Sequence, residues 1–134
     1  MKIQILPLVA GAQKATGLTV IIDVFRAFSL EAYMYASGAK KVIPVKTVED
    51  ALALKEKNQY YILVGERKGI KVEGFDYGNS PSEFVGVDLS GKTLIHTTSA
   101  GVLGLASAVN ASQIVTGAIV NAKATAKYIL EQNP

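Results

Sequence analysis

The chain has 134 residues, 49% hydrophobic and 19% charged, with a net charge of +3, a balance that suits one soluble, well-cored domain and excludes a disordered chain. The positive excess is mild and no Lys/Arg cluster stands out, Lys40-Lys41 being only a pair, which argues against a nucleic-acid partner. The lack of cysteine excludes disulfides, thiolate nucleophiles and Cys-metal sites, His96 is the sole histidine, and no apolar run reaches membrane-spanning length.

Read in chain order, Ile3 to Leu6 is a short first strand ended by Pro7, and Val9 to Thr16 is a turn. The opening Met1-Lys2-Ile3-Gln4 does not read as a secretory signal, so a cytoplasmic location is expected. Leu18 to Ile22 is a β-branched run that suits a strand covered on both faces. Ala27 to Ser37 reads as a helix stopped by Gly38. Lys41 to Val45 is the next strand. Thr47 then caps a helix with Glu49 and Asp50 in its first turn, ending near Asn58. Tyr60 to Val64 is a strand that leads into a glycine-rich loop, Gly65 to Pro81. Ser82 to Val85 forms a helical turn and Thr93 to Ile95 a strand. Ser99 to Val109 is a helix of small residues, Gln113 to Thr116 a strand, and Asn121 to Leu130 the last helix, with Asn121 as its cap. Strands alternating with helices over short connections predict an α/β domain spanning residues 1–134. Its architecture is three-layer α/β/α with a largely parallel sheet.

Gly86 to Thr93, GVDLSGKT, matches the phosphate-loop pattern G-x-x-x-x-G-K-[ST] letter for letter. Such a loop needs a strand before it and a helix after it. Here a strand follows, so Lys92 reads as a solvated turn residue.

Polar clusters fall at the carboxyl ends of three predicted strands, where doubly wound sheets bind ligands. Asp23 ends one run, either as a metal or catalytic carboxylate or as a helix cap, with Arg26 and Ser29 just beyond it. Glu66 and Arg67 follow Val64, as metal ligand or base and as phosphate ligand, or as an ion pair. Asp76, Asn79 and Ser80 suit metal or phosphate ligation, and equally suit turns. Thr97, Thr98 and Ser99 open a helix, where hydroxyls and amides bind an anion or simply cap. The mixture fits an oxyanion with a hard cation, Mg²⁺ in preference to zinc.

Five segments, three of which carry these residues, resemble the 2-phosphosulfolactate phosphatase family. They are IIDVFRAFS, SGAKKVIPV, GERKGIKVEGFDYGNSPSE, GKTLIHTTSAG and TGAIVNAKATAKYI. The resemblance covers nearly the whole chain but only the amino-terminal half of the family's length. It implies a Mg²⁺-dependent phosphatase that releases phosphate from 2-phosphosulfolactate to give sulfolactate, in coenzyme M biosynthesis. It also implies a small phosphorylated substrate and leaves homo-oligomerisation open. The site carried over has Asp23, Arg26, Glu66 and Arg67 as catalytic residues, and Asp23, Glu66 and Asp76 as metal ligands. Ser29, Asn79, Ser80, Thr97, Thr98 and Ser99 would bind substrate. Phe28 and Ala100 depart from residues common in the family. Two further readings are a non-catalytic anion-binding domain and a fragment that needs a second half. The D-x-D pattern of aspartyl-phosphate enzymes fails, since Phe25 stands two residues after Asp23.

Overall fold

A computed structural model describes all residues from Met1 to Pro134. In chain order the elements are α1 (Leu8–Ala12), β1 (Gly17–Ile22), α2 (Ala27–Ala36), β2 (Lys41–Pro44) and α3 (Val48–Lys57). Then come β3 (Ile62–Arg67), β4 (Ile70–Lys71), a 3-10 turn (Pro81–Phe84), β5 (Thr93–Thr97), α4 (Gly101–Ser107), β6 (Ala111–Gly117) and α5 (Ala122–Gln132).

The strands form a four-stranded sheet in the order β2-β5-β3-β4 and a separate pair, β1-β6. All pairings are parallel except β3 with β4. Alternation along the strands decides which helix each side chain meets. Val64 and Leu94 face Leu30 and Met34 of α2, while Leu63 and Ile95 face Ala51 of α3. The four-stranded sheet is therefore sandwiched between α2 and α3, the expected α/β/α arrangement. The α3 cap is also as expected: Thr47 accepts a hydrogen bond from Asp50 N–H, with Glu49 and Asp50 in the first turn.

Four sequence expectations change. Residues Ile3 to Leu6 form no strand, because no neighbouring strand pairs with them, and part of the turn expected after Pro7 is the short helix α1. β1 is only half-buried, because it pairs with β6 alone and stands outside the four-stranded sheet. β3 runs from Ile62 through Gly65, Glu66 and Arg67, later at both ends than the Tyr60 to Val64 strand that the sequence predicts. Finally, Asn121 precedes α5, but its side chain turns back to Ala118 N–H and the Thr116 carbonyl instead of capping the helix.

The extension of β3 has a steric reason. A Cβ at Gly65 would lie 2.2 Å from the carbonyl oxygen of its β5 partner Thr97. Glycine here permits close strand contact rather than a turn. Just beyond, Lys68 and Gly69 both have positive φ, and Arg67 pairs with Ile70. Two central residues with positive φ suit a tight hairpin turn, which reverses β3 into β4. The phosphate-loop look-alike is a turn into β5, as expected: Lys92 N–H bonds the Leu89 carbonyl, and Lys92 is exposed.

Candidate active site

The site lies beyond the carboxyl ends of β1, β3 and β5, and Glu66 is its structural hub. Its side chain is only 4% exposed. Oε1 accepts from Ser99 N–H at 2.7 Å, and Oε2 accepts from Gly69 N–H at 2.6 Å and from Ser99 Oγ at 3.2 Å. Ser99 Oγ accepts in turn from Lys68 N–H. One carboxylate thus ties the β3–β4 hairpin to the loop after β5. Burial pushes the Glu66 pKa up, but hydrogen bonds from Ser99 and Gly69, helped by the charge of Arg26, outweigh it and hold the group below the ordinary 4.5. A carboxylate held ionised in this way is a weak proton acceptor at neutral pH.

Asp23 leaves β1 and caps α2: its Oδ1 accepts from the backbone N–H groups of Arg26 and Ala27. The other oxygen, Oδ2, faces Gly101, where a Cβ would come within 2.9 Å of it. Gly101 therefore lets the turn after β5 close against this carboxylate. Arg26 acts on Glu66 through its charge, and its Nη1 lies 3.6 Å from where a Cβ on Gly69 would sit. Asp23, Arg26, Glu66 and Ser99 are thereby brought to one side of the sheet.

Arg67 is not in that group. Strand alternation sends it to the opposite face from Glu66. There it donates to the carbonyls of Glu66 and Lys46 and to Thr97 Oγ1, at 2.7, 3.2 and 2.7 Å. It laces together the ends of β3, β2 and β5. Asp76 also lies elsewhere: its Oδ2 accepts from Leu63 N–H, near the start of β3, and stands 3.9 Å from Lys55 Nζ. The remaining hydroxyls are engaged locally. Ser29 donates to the Val24 carbonyl, and Thr98 Oγ1 accepts from Val102 N–H.

Asn79 and Ser80 line a cavity of about 350 Å³ with Arg26, Gly69, Lys71, Gly78, Pro81 and Glu83. None of its lining residues is hydrophobic, and two of them are cations. Ser80 Oγ meets Ser82 Oγ at 2.8 Å, Glu83 Oε2 accepts from Gly78 N–H, and Asn79 Oδ1 is buried without a partner. Lys71 escaped the sequence reading. Its signal was the Lys-Gly turn before it, which folds the chain back so that the second residue of β4 meets the pocket.

His96 is fully buried, with Nδ1 3.0 Å from Glu31 Oε1 and Nε2 unpartnered. Glu31 was also missed; a lone charge inside the otherwise apolar stretch of α2 was its signal.

No point in the structure gathers three acidic or histidine side chains around a cation, so Asp23, Glu66 and Asp76 do not form a joint metal site. Mg²⁺ commonly takes one or two carboxylates and completes its shell with water and substrate oxygens. The structure fits that sparse mode at Asp23, whose Oδ2 makes no protein hydrogen bond while Oδ1 makes two.

The 2-phosphosulpholactate phosphatase family matches this chain over residues 6–134. The chain belongs to that family. It is 47% identical over 85% of its length to a probable 2-phosphosulfolactate phosphatase of Carboxydothermus hydrogenoformans, covering 47% of that protein. Proteins bearing the same name from Bacillus subtilis and Clostridium acetobutylicum are 38% and 44% identical over 84% and 85% of this chain, and each is covered to 49%. The chain spans about half the length of the curated relatives it matches. No helix is long and apolar enough to cross a membrane.

Proposed function

We propose that this chain carries the phosphate-binding half of a phosphatase that hydrolyses 2-phosphosulfolactate, or a related small phosphoester, to sulfolactate and phosphate. The observation that carries the reading is a cavity lined by Arg26 and Lys71, with Arg26 held through its backbone N–H by Asp23. Arg26 would take the phosphate oxygens through its planar fork and neutralise charge that grows in the transition state. Asp23 would hold Mg²⁺ through Oδ2; when bound, the ion would add positive charge at the phosphate and activate a water for attack. Glu66 would stay ionised and hold the hairpin and the Ser99 loop in place around the reacting group, a positioning role. The setting would be cytoplasmic.

A second reading is favoured by the surface beside the site. Ile22 at the end of β1, Phe25 beyond it, and Ile119 after β6 are 69%, 79% and 65% exposed. Exposed apolar groups at the rim of a site suit a covering unit. Together with the half-length match, they favour a site completed by a second half.

Phosphate release from 2-phosphosulfolactate, with Mg²⁺ and with EDTA, tests both readings. The first expects release that EDTA abolishes; equal release in EDTA would overturn the metal assignment. Phosphate binding without release would favour the second reading. Absence of both phosphate release and phosphate binding would overturn the proposed function.

A further inference from the structure

A second cavity lies away from the phosphate site and shares no lining residue with it. It measures about 420 Å³ and opens between the edge strand β2 and strand β6 of the separate pair. Val42 and Pro44 of β2 and Ile114 and Val115 of β6 make its walls mostly apolar. The β2 wall offers no free donor to an added strand: Val42 N–H is taken by the Tyr35 hydroxyl at 3.2 Å, and Pro44 has no N–H. Glu31 is the one charged residue of the lining. It is 7% exposed; Oε1 meets His96 Nδ1 at 3.0 Å, and Oε2 makes no protein hydrogen bond. A proton on His96 Nε2 would stand in the core without an acceptor, so the ring serves as a neutral donor and leaves the carboxylate charge uncancelled. No Lys or Arg lies within ion-pair distance of Glu31. Burying a carboxylate this deeply without a cation is costly.

We propose that this cleft is a binding site for a small organic cation, a primary ammonium carried on an apolar body. The ammonium would pair with Glu31 Oε2, and the body would fill the space between β2 and β6. Tyr35 and Tyr128 border the same cavity, and aromatic rings beside a carboxylate add affinity for a cation. The Gln113 amide is already bonded to the Tyr128 hydroxyl, so Glu31 is the group left to recognise the ligand. The volume and the mostly apolar lining are those of small-molecule sites, in which a few polar groups fix the ligand. Charge sets the selectivity: with one acid and no base in the lining, an anion of the same shape is repelled. The site is independent of the phosphate reading, since neither Asp23 nor Arg26 borders it.

Titration calorimetry on the whole chain at pH 7, with benzylammonium, benzyl alcohol and benzoate, tests this without relying on turnover. The three probes are close in shape and differ in charge. The wild type should bind benzylammonium about tenfold more tightly than benzyl alcohol, the margin of one charge-assisted contact, and benzoate more weakly than either. Glu31→Gln keeps an oxygen for His96 Nδ1–H and removes the charge, so it should cut that margin to about twofold or less. Ile114→Trp, at a partly exposed position, fills the cleft from its rim and should weaken benzylammonium and benzyl alcohol alike by about tenfold. This second variant keeps the test open if Glu31→Gln fails to fold. No binding of benzylammonium, equal binding of benzyl alcohol, a margin that survives Glu31→Gln, or unchanged affinity in Ile114→Trp would overturn the proposal. Self-association in sedimentation that Ile114→Trp abolishes would assign the cleft to a second copy of the chain, and would overturn it as well.

Discussion

Replacing Glu66 with Gln changes one oxygen to an amide group at the hub of the site. The glutamine can keep one acceptor, but not both Ser99 N–H and Gly69 N–H, since its NH₂ then faces one of these donors. One charge-assisted hydrogen bond is lost and a buried donor is left opposite another. Hydrogen bonds to charged groups contribute ~1.5–3 kcal/mol, and an unsatisfied buried group costs ~1–3 kcal/mol, with some overlap between the two. The expected loss at pH 7 is about 2–4 kcal/mol, or roughly 7–14 °C in Tm for a chain of this size. The sign of the pH dependence follows from the lowered pKa of Glu66. A carboxylate whose folded pKa lies below its unfolded value stabilises the fold fully above the ordinary 4.5, and that stability drains away as pH falls through the folded value. The variant lacks this titration, so the gap between the two proteins should be widest near neutrality and close in acid. Urea unfolding of both proteins from pH 7 downward measures it. A variant as stable as the wild type at pH 7, or a gap that persists undiminished in acid, would refute the hub role.

Other substitutions separate folding from chemistry. Gly65→Ala places a Cβ 2.2 Å from the Thr97 carbonyl in the β3–β5 ladder, so a loss of ~3 kcal/mol or more is expected by denaturant unfolding. Asp23→Asn keeps an oxygen to cap Arg26 and Ala27 N–H, so stability should stay within about 1 kcal/mol of wild type. Phosphate release should nevertheless fall by about 100-fold or more, as expected when a metal ligand loses its charge; unchanged Mg²⁺-dependent turnover would sink the assignment. Arg67→Met removes bonds to the Lys46 carbonyl and Thr97 Oγ1, so it should lower Tm while leaving inorganic phosphate affinity within about twofold. A tenfold loss of phosphate affinity would return Arg67 to the ligand-binding set.

Much of this protein was legible in its residues because the governing forces act locally. The Thr47 cap and the acidic turn after it depend on groups three positions apart, and they appear as read. Gly38 ends α2 with a positive φ, as a residue without Cβ can. The β-branched and apolar runs of β1, β2 and β5 marked strands, and their polar ends marked the ligand edge. What tertiary structure alone decided was pairing. Residues Ile3 to Leu6 have a strand-like run but no partner, and a strand exists only through its neighbour. Gly65 looked like a loop residue and proved to be a contact residue, because the opposing carbonyl of Thr97 is 32 positions away. Glu66 and Arg67 are adjacent in sequence yet diverge to opposite faces, one to bind Ser99 and the other Thr97. Asp76 carried the same chemical signal as Asp23, but the returning loop delivers it to the start of β3. Residue type announces which groups can bind an anion or a cation, whereas strand register and loop closure determine which of them meet.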